Sequence, residues 1–191
     1  MNDDITTGGS AAMIPSANGQ AYRAYLESAQ AVLAGLTMVD YYAAPLPSPA
    51  DESLAEIISA YTGWPADVRE RFRASLPRDK AGLAAIFGHR AATLAVRTGD
   101  PDRLRLGLIG NAIANDLIPD GRHVEAALAV FHHCAGKLEL EPEALFDEAA
   151  QFASDEMAER LRAFGRRTDV TLKQFGWREI RTAEGVRYRY M

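Results

Sequence analysis

Apolar positions recur with a helical period along most of this chain. Between 79 and 98, Leu83, Ile86, Phe87, Ala91 and Leu94 fall at i, i+3, i+4, i+8 and i+11, one face of a helix. Leu104, Leu108, Ile109, Ala112 and Ile113 mark a second helix at about 101–115. Val124, Ala127, Leu128, Phe131 and Cys134 mark a third at about 121–137, and Leu145, Phe146, Ala149 and Phe152 a fourth at about 142–153. Asp100-Pro101, Asp120-Gly121 and Glu141-Pro142 supply the stop and start signals between them. A further helix runs from Ser154 to about Phe164 and ends at Gly165. After Phe175 the period drops from 3.6 to 2. Residues 177–181, a turn at Ala183-Glu184-Gly185 and residues 186–190 read as a β-hairpin, with Val186, Tyr188 and Tyr190 on one face and Arg187 and Arg189 on the other. A lone hairpin is marginal in water, so its aromatic face is expected to pack on the helices.

Upstream, residues 1–18 are mostly small and polar and read as a disordered leader. A helix at about 20–36 carries Tyr22, Leu26, Ala29 and Leu33 on one stripe. Pro45, Pro47 and Pro49 make 41–49 an extended connector. Ser48-Pro49-Ala50-Asp51 then opens a helix with a capping serine, a proline at the first helical position and acid in the first turn. Gly63 and Pro65 close it, and a short helix follows to Leu76 with Val68 and Phe72 inward.

Connections of a few residues make successive helices antiparallel neighbours. Gly107 and Gly110 thin one side of their helix and permit a close neighbour. The segment Pro119-Asp120-Gly121-Arg122-His123-Val124-Glu125-Ala126-Ala127 sets an acid and a base around a turn before an Ala-rich helix. In this it resembles the inner half of a HEAT-type repeat. The resemblance covers residues 79–153 and implies a curved helical scaffold used for binding; an irregular α-bundle accounts for the same pattern.

Charge narrows the function classes. The net charge of -5 argues against wholesale coating of nucleic acid. From Arg160 onward, however, nine basic residues face three acidic ones, so the tail is locally basic and can guide a partner or dock on its own acidic body. One cysteine, Cys134, excludes an intrachain disulfide and fits a reducing compartment. No secretory signal and no apolar run of membrane-spanning length is visible, so a cytoplasmic protein is expected.

Chemistry-bearing residues are few. Arg90 interrupts an apolar stripe, three and four residues after Phe87 and Ile86. It reads as an interhelix ion pair with Asp116, Asp120 or Glu125, or else as an anion-recognising arginine at the lip of a groove. His132-His133-Cys134 has the look of a metal motif. Adjacent helical residues point about 100° apart, however, so the two imidazoles cannot act as i, i+4 ligands, and Cys134 belongs to the core stripe. No metal or cofactor is expected. No nucleophile elbow or phosphate loop occurs, and the acid pairs, Asp51-Glu52 among them, read as charges that complement helix dipoles. Arg178, Arg181, Arg187 and Arg189 form a basic patch beside Trp177, Tyr188 and Tyr190. Alternation separates rings from arginines, which disfavours a base-stacking platform.

The sequence therefore predicts an all-α fold, an antiparallel bundle of helical hairpins or a short HEAT-like stack, with a small C-terminal β-hairpin. Its parts are a leader at 1–18, a helical domain at 19–165 and a hairpin at 166–191 packed on that domain. The expected function is non-enzymatic: an intracellular binding or adaptor protein presenting a helical groove to a protein partner or to its own copy. The alternative is an enzyme or small-ligand protein whose inter-helix cleft collects Arg90, His89, His132, His133 and Asp116. A third reading is weak nucleic-acid binding through the basic tail.

Overall fold

A computed structural model describes residues 27–191; the expected leader and the start of the first helix, with Tyr22 and Leu26, lie outside the described residues. Helix α1 is helical over 27–34. It is followed by α2 (Met38–Ala43), α3 (Pro49–Gly63), α4 (Ala66–Ser75), α5 (Arg78–Thr98), α6 (Pro101–Leu117), α7 (Gly121–Lys137), α8 (Pro142–Ala150) and α9 (Asp155–Gly165). A single 3-10 turn (Leu172–Phe175) leads into β1 (Trp177–Thr182) and β2 (Gly185–Tyr190), which pair antiparallel. The chain is all-α with a small C-terminal hairpin.

Capping explains most boundaries. Asp100, Asp120 and Ser154 each accept backbone N–H groups at the start of α6, α7 and α9. Gly99 closes α5 in the left-handed region, φ 69°, which glycine adopts at little cost. The connector differs from expectation in one respect. Thr37 caps a short helix through Tyr41, Tyr42 and Ala43, and only the stretch from Ala44 to Ser48 is irregular. The prolines begin at 45, so they end this helix and do not prevent it.

Helix α5 lies closest against α6. A side chain at Gly107 would meet Ala91 Cβ at 2.8 Å and one at Gly88 would meet the Gly107 carbonyl at 3.0 Å, so the backbones approach where both helices lack a Cβ. The second tight hairpin is α8 with α9, not α7 with α8. Helix α7 instead runs through the middle, and Val124 and every residue from Ala126 to Phe131 are buried on it. A helix apolar on all sides sits inside the bundle, and α6 does the same from Leu106 to Asn115.

The hairpin rests on this body. Tyr188 Oη lies 3.6 Å from Cys134 Sγ, Lys137 Nζ pairs with Glu179, and the Trp177 and His89 rings stack at 4.4 Å. Among the described residues no helix is long and apolar enough to cross a membrane.

Candidate functional site

Arg90 is held, and its partner is none of those the sequence offered. Asp51, fully buried, accepts from Arg90 Nε and Nη2 at 2.7 Å each, a bidentate pair between α5 and the first turn of α3. Arg90 also donates to the carbonyls of Ala44 at 3.0 Å and Pro45 at 2.7 Å, which uses four of its five N–H bonds. Its guanidinium covers the Tyr41 ring at 4.8 Å. Tyr41 Oη–H donates to Asp51 at 2.5 Å and the Ser48 backbone N–H donates at 2.6 Å. Burial alone raises the Asp51 carboxyl, but the bonds from Arg90, Tyr41 and Ser48 outweigh it and hold the group below the usual carboxylate range. Arg90 is thus a clamp on the connector. Asp51 was missed because Ser48-Pro49 makes it look like an ordinary first-turn acid; the sign to read was the third helical position of a capping box.

The remaining candidates are dispersed. Asp116, at the end of α6, accepts from Ser154 N and Oγ and from Arg73 Nη1, so it anchors the start of α9. Glu125 faces Arg160, and Asp120 caps α7. His132 packs beside the stacked Phe146 and Phe164 rings, about 6 Å from each. His133 sits against Tyr188 and 3.4 Å from Glu179; burial and Lys137 lower its pKa while Glu179 opposes them. Of the proposed cluster only His89 and Arg90 share a cleft. Among the described residues no group of three His, Cys, Asp or Glu is placed to hold a metal ion.

That cleft, about 460 Å³, lies between the hairpin and the connector. Its floor is Ile86, His89, Arg90 and Thr93, successive positions on one face of α5. Tyr42 and Leu46 form one wall, and Trp177, Arg187, Tyr188, Arg189 and Tyr190 the other. Burial pushes the His89 imidazole down to about 4, so it is neutral at physiological pH. Thr93 Oγ1–H donates to the His89 carbonyl. Trp177 is buried, and its indole N–H finds no acceptor among the described residues. Met38, Val39 and Tyr42 are exposed on α2, and Tyr42 belongs to the cleft wall.

Strand register divides the basic patch. Arg178 pairs with Arg189 and Ile180 with Arg187, so Arg178, Arg187 and Arg189 share the outer face. Arg181 lies on the other face, paired with Glu179. Lys137, with Arg181 and His133, holds Glu179 down to about 2. Alternation places the rings of Tyr188 and Tyr190 opposite the arginines of β2, as the sequence implied. Both sets nevertheless border the cleft.

No protein-family model matches this chain, and neither a curated protein nor a solved structure shows significant similarity to it.

Proposed function

We infer that this protein is a non-catalytic binding module that takes an acidic part of a protein partner into the cleft between α5, the connector and the hairpin. The observation that carries this is the composition of the cleft lining. It joins Tyr42, Trp177, Tyr188 and Tyr190 to Arg187 and Arg189, the residue types that dominate binding energy at protein interfaces. The same lining is poor in reactive groups. It holds no carboxylate or thiol, its one imidazole titrates near 4, its threonine hydroxyl is engaged, and the Arg90 guanidinium is committed to Asp51. A nucleophile with an adjacent base is what acyl or phosphoryl chemistry asks for. With Arg90 neutralised by Asp51 and Arg187 paired with Glu184 in the turn, Arg189 leaves the cleft positive, which favours an acidic partner.

The volume also favours a second reading, a small anionic ligand. Affinity capture from nuclease-treated native lysate, with the wild-type chain beside Arg187→Glu/Arg189→Glu, separates the two. A stoichiometric protein lost from the variant supports the partner reading. A small molecule seen by native mass spectrometry, with no such protein, replaces it. Identical capture by both chains removes the cleft from consideration.

A further inference from the structure

Four consecutive residues of β2, Arg187 to Tyr190, border the cleft. Side chains alternate between the faces of a strand, so a strand lines one cleft with four successive residues only where it turns its edge to it. The opposite edge of β2 is taken by β1. Hydrogen bonding tells which backbone groups the free edge carries. Met191 N–H donates to the Gly176 carbonyl at 2.8 Å, which makes Trp177 and Tyr190 a non-hydrogen-bonded pair. By alternation so are Glu179 with Tyr188 and Arg181 with Val186. The N–H and C=O groups of Val186, Tyr188 and Tyr190 therefore point away from β1. None of them bonds another described residue.

We propose that this edge is a strand-addition site: an extended acidic segment of the partner pairs with β2 as a third strand. The proposal rests on the partner-binding role of the cleft and specifies its mode. Main-chain bonds to Val186, Tyr188 and Tyr190 supply affinity, and alternate side chains supply selectivity. Residues of the segment lying opposite Arg187 and Arg189 fall on the outer face beside the two guanidiniums. The residue between them, opposite Tyr188, turns to the inner face. The recognised pattern is thus acid, apolar, acid.

Charge on the outer face argues for acids there. Arg189 stands directly across from Arg178, an arrangement that disfavours pairing. Neither has an ion-pair partner among the described residues, whereas Arg187 has only Glu184 in the turn. A carboxylate on the free side of β2 would relieve that repulsion.

The test uses the full chain and a short capped peptide alternating glutamate and valine, with binding followed by calorimetry and amide exchange by NMR. Saturable binding is expected, with slowed exchange at Val186, Tyr188 and Tyr190. Exchange at Arg187 and Arg189, already bonded to β1, should change little. N-methylating the edge-facing amides of the peptide should weaken binding by about tenfold or more. Arg187→Glu/Arg189→Glu, two exposed positions whose exchange does not threaten the core, should reject this peptide and accept one alternating lysine and valine. Binding without protection of those three amides, or indifferent to N-methylation, overturns strand addition and leaves the cleft as a binding site. Absence of peptide binding, with a partner still captured in an arginine-dependent way, does the same. If capture is also arginine-independent, both readings fall.

Discussion

Arg90 occupies an otherwise apolar helix face because Asp51 waits beneath it. The pair joins two helices whose residues are 39 apart in sequence, and through the Ala44 and Pro45 carbonyls it fixes the connector that walls the cleft. Removing either partner strands a buried charge. Asp51→Ala and Arg90→Ala are each expected to cost about 3–5 kcal/mol in urea denaturation, with the double variant well short of additive. Additive losses would mean the two groups do not act as a unit. Arg90 was legible as the one charge breaking its stripe; Asp51 was not, since a first-turn acid needs no buried partner. His89 gives a second expectation. Its folded pKa of about 4 lies below the ordinary 6.5, so the unfolded chain binds the proton first as pH falls. Stability is complete above about pH 6.5 and declines toward pH 4, by up to about 1.4 kcal/mol per pH unit from this group. His89→Phe, which keeps a ring against Trp177, should flatten that slope; an unchanged slope would place the titration elsewhere.

At the scale of elements, glycine spacing decided the tightest contact. Gly107 and Gly110 showed in the sequence as gaps in α6, but Gly88 on α5 did not, because nothing in a single chain says which glycines will face each other. Gly107→Ala would press its methyl on Ala91, and the backbone limits relief, so a loss of about 1–3 kcal/mol is expected by thermal or urea denaturation. Gly136 is the control. It lies in α7 with nothing within 4 Å of the point where an added methyl would sit, so Gly136→Ala should be neutral or stabilise by up to about 1 kcal/mol. Equal effects at the two sites would remove the close-approach argument. Helix periodicity and caps located α5 to α9 closely. Which neighbours pack most tightly was not readable, since short connections join α7 to α8 as plainly as α8 to α9.

For the whole molecule, the hairpin is held by residues from two helices remote in sequence. Its period was readable, as was the inward turn of its rings. Its seat was not, because Glu179 meets Lys137 and Trp177 meets His89 only through tertiary packing. The anchors differ in weight. Trp177, 8% exposed, should cost about 3–5 kcal/mol as Trp177→Ala in a denaturation series. The partly exposed Glu179–Lys137 pair should cost about 1 kcal/mol or less as Lys137→Met. A reversed ranking would mean that charge, not apolar contact, seats the hairpin.

The Cys134 sulfur is covered by this same seat, 3.6 Å from Tyr188 Oη, and burial pushes its thiol up to about 11. A thiol so protected reacts only after its cover lifts. The rate at which an alkylating reagent consumes the chain's single thiol is therefore a stopwatch on hairpin undocking, read without adding a probe, and a bound strand on β2 should slow it.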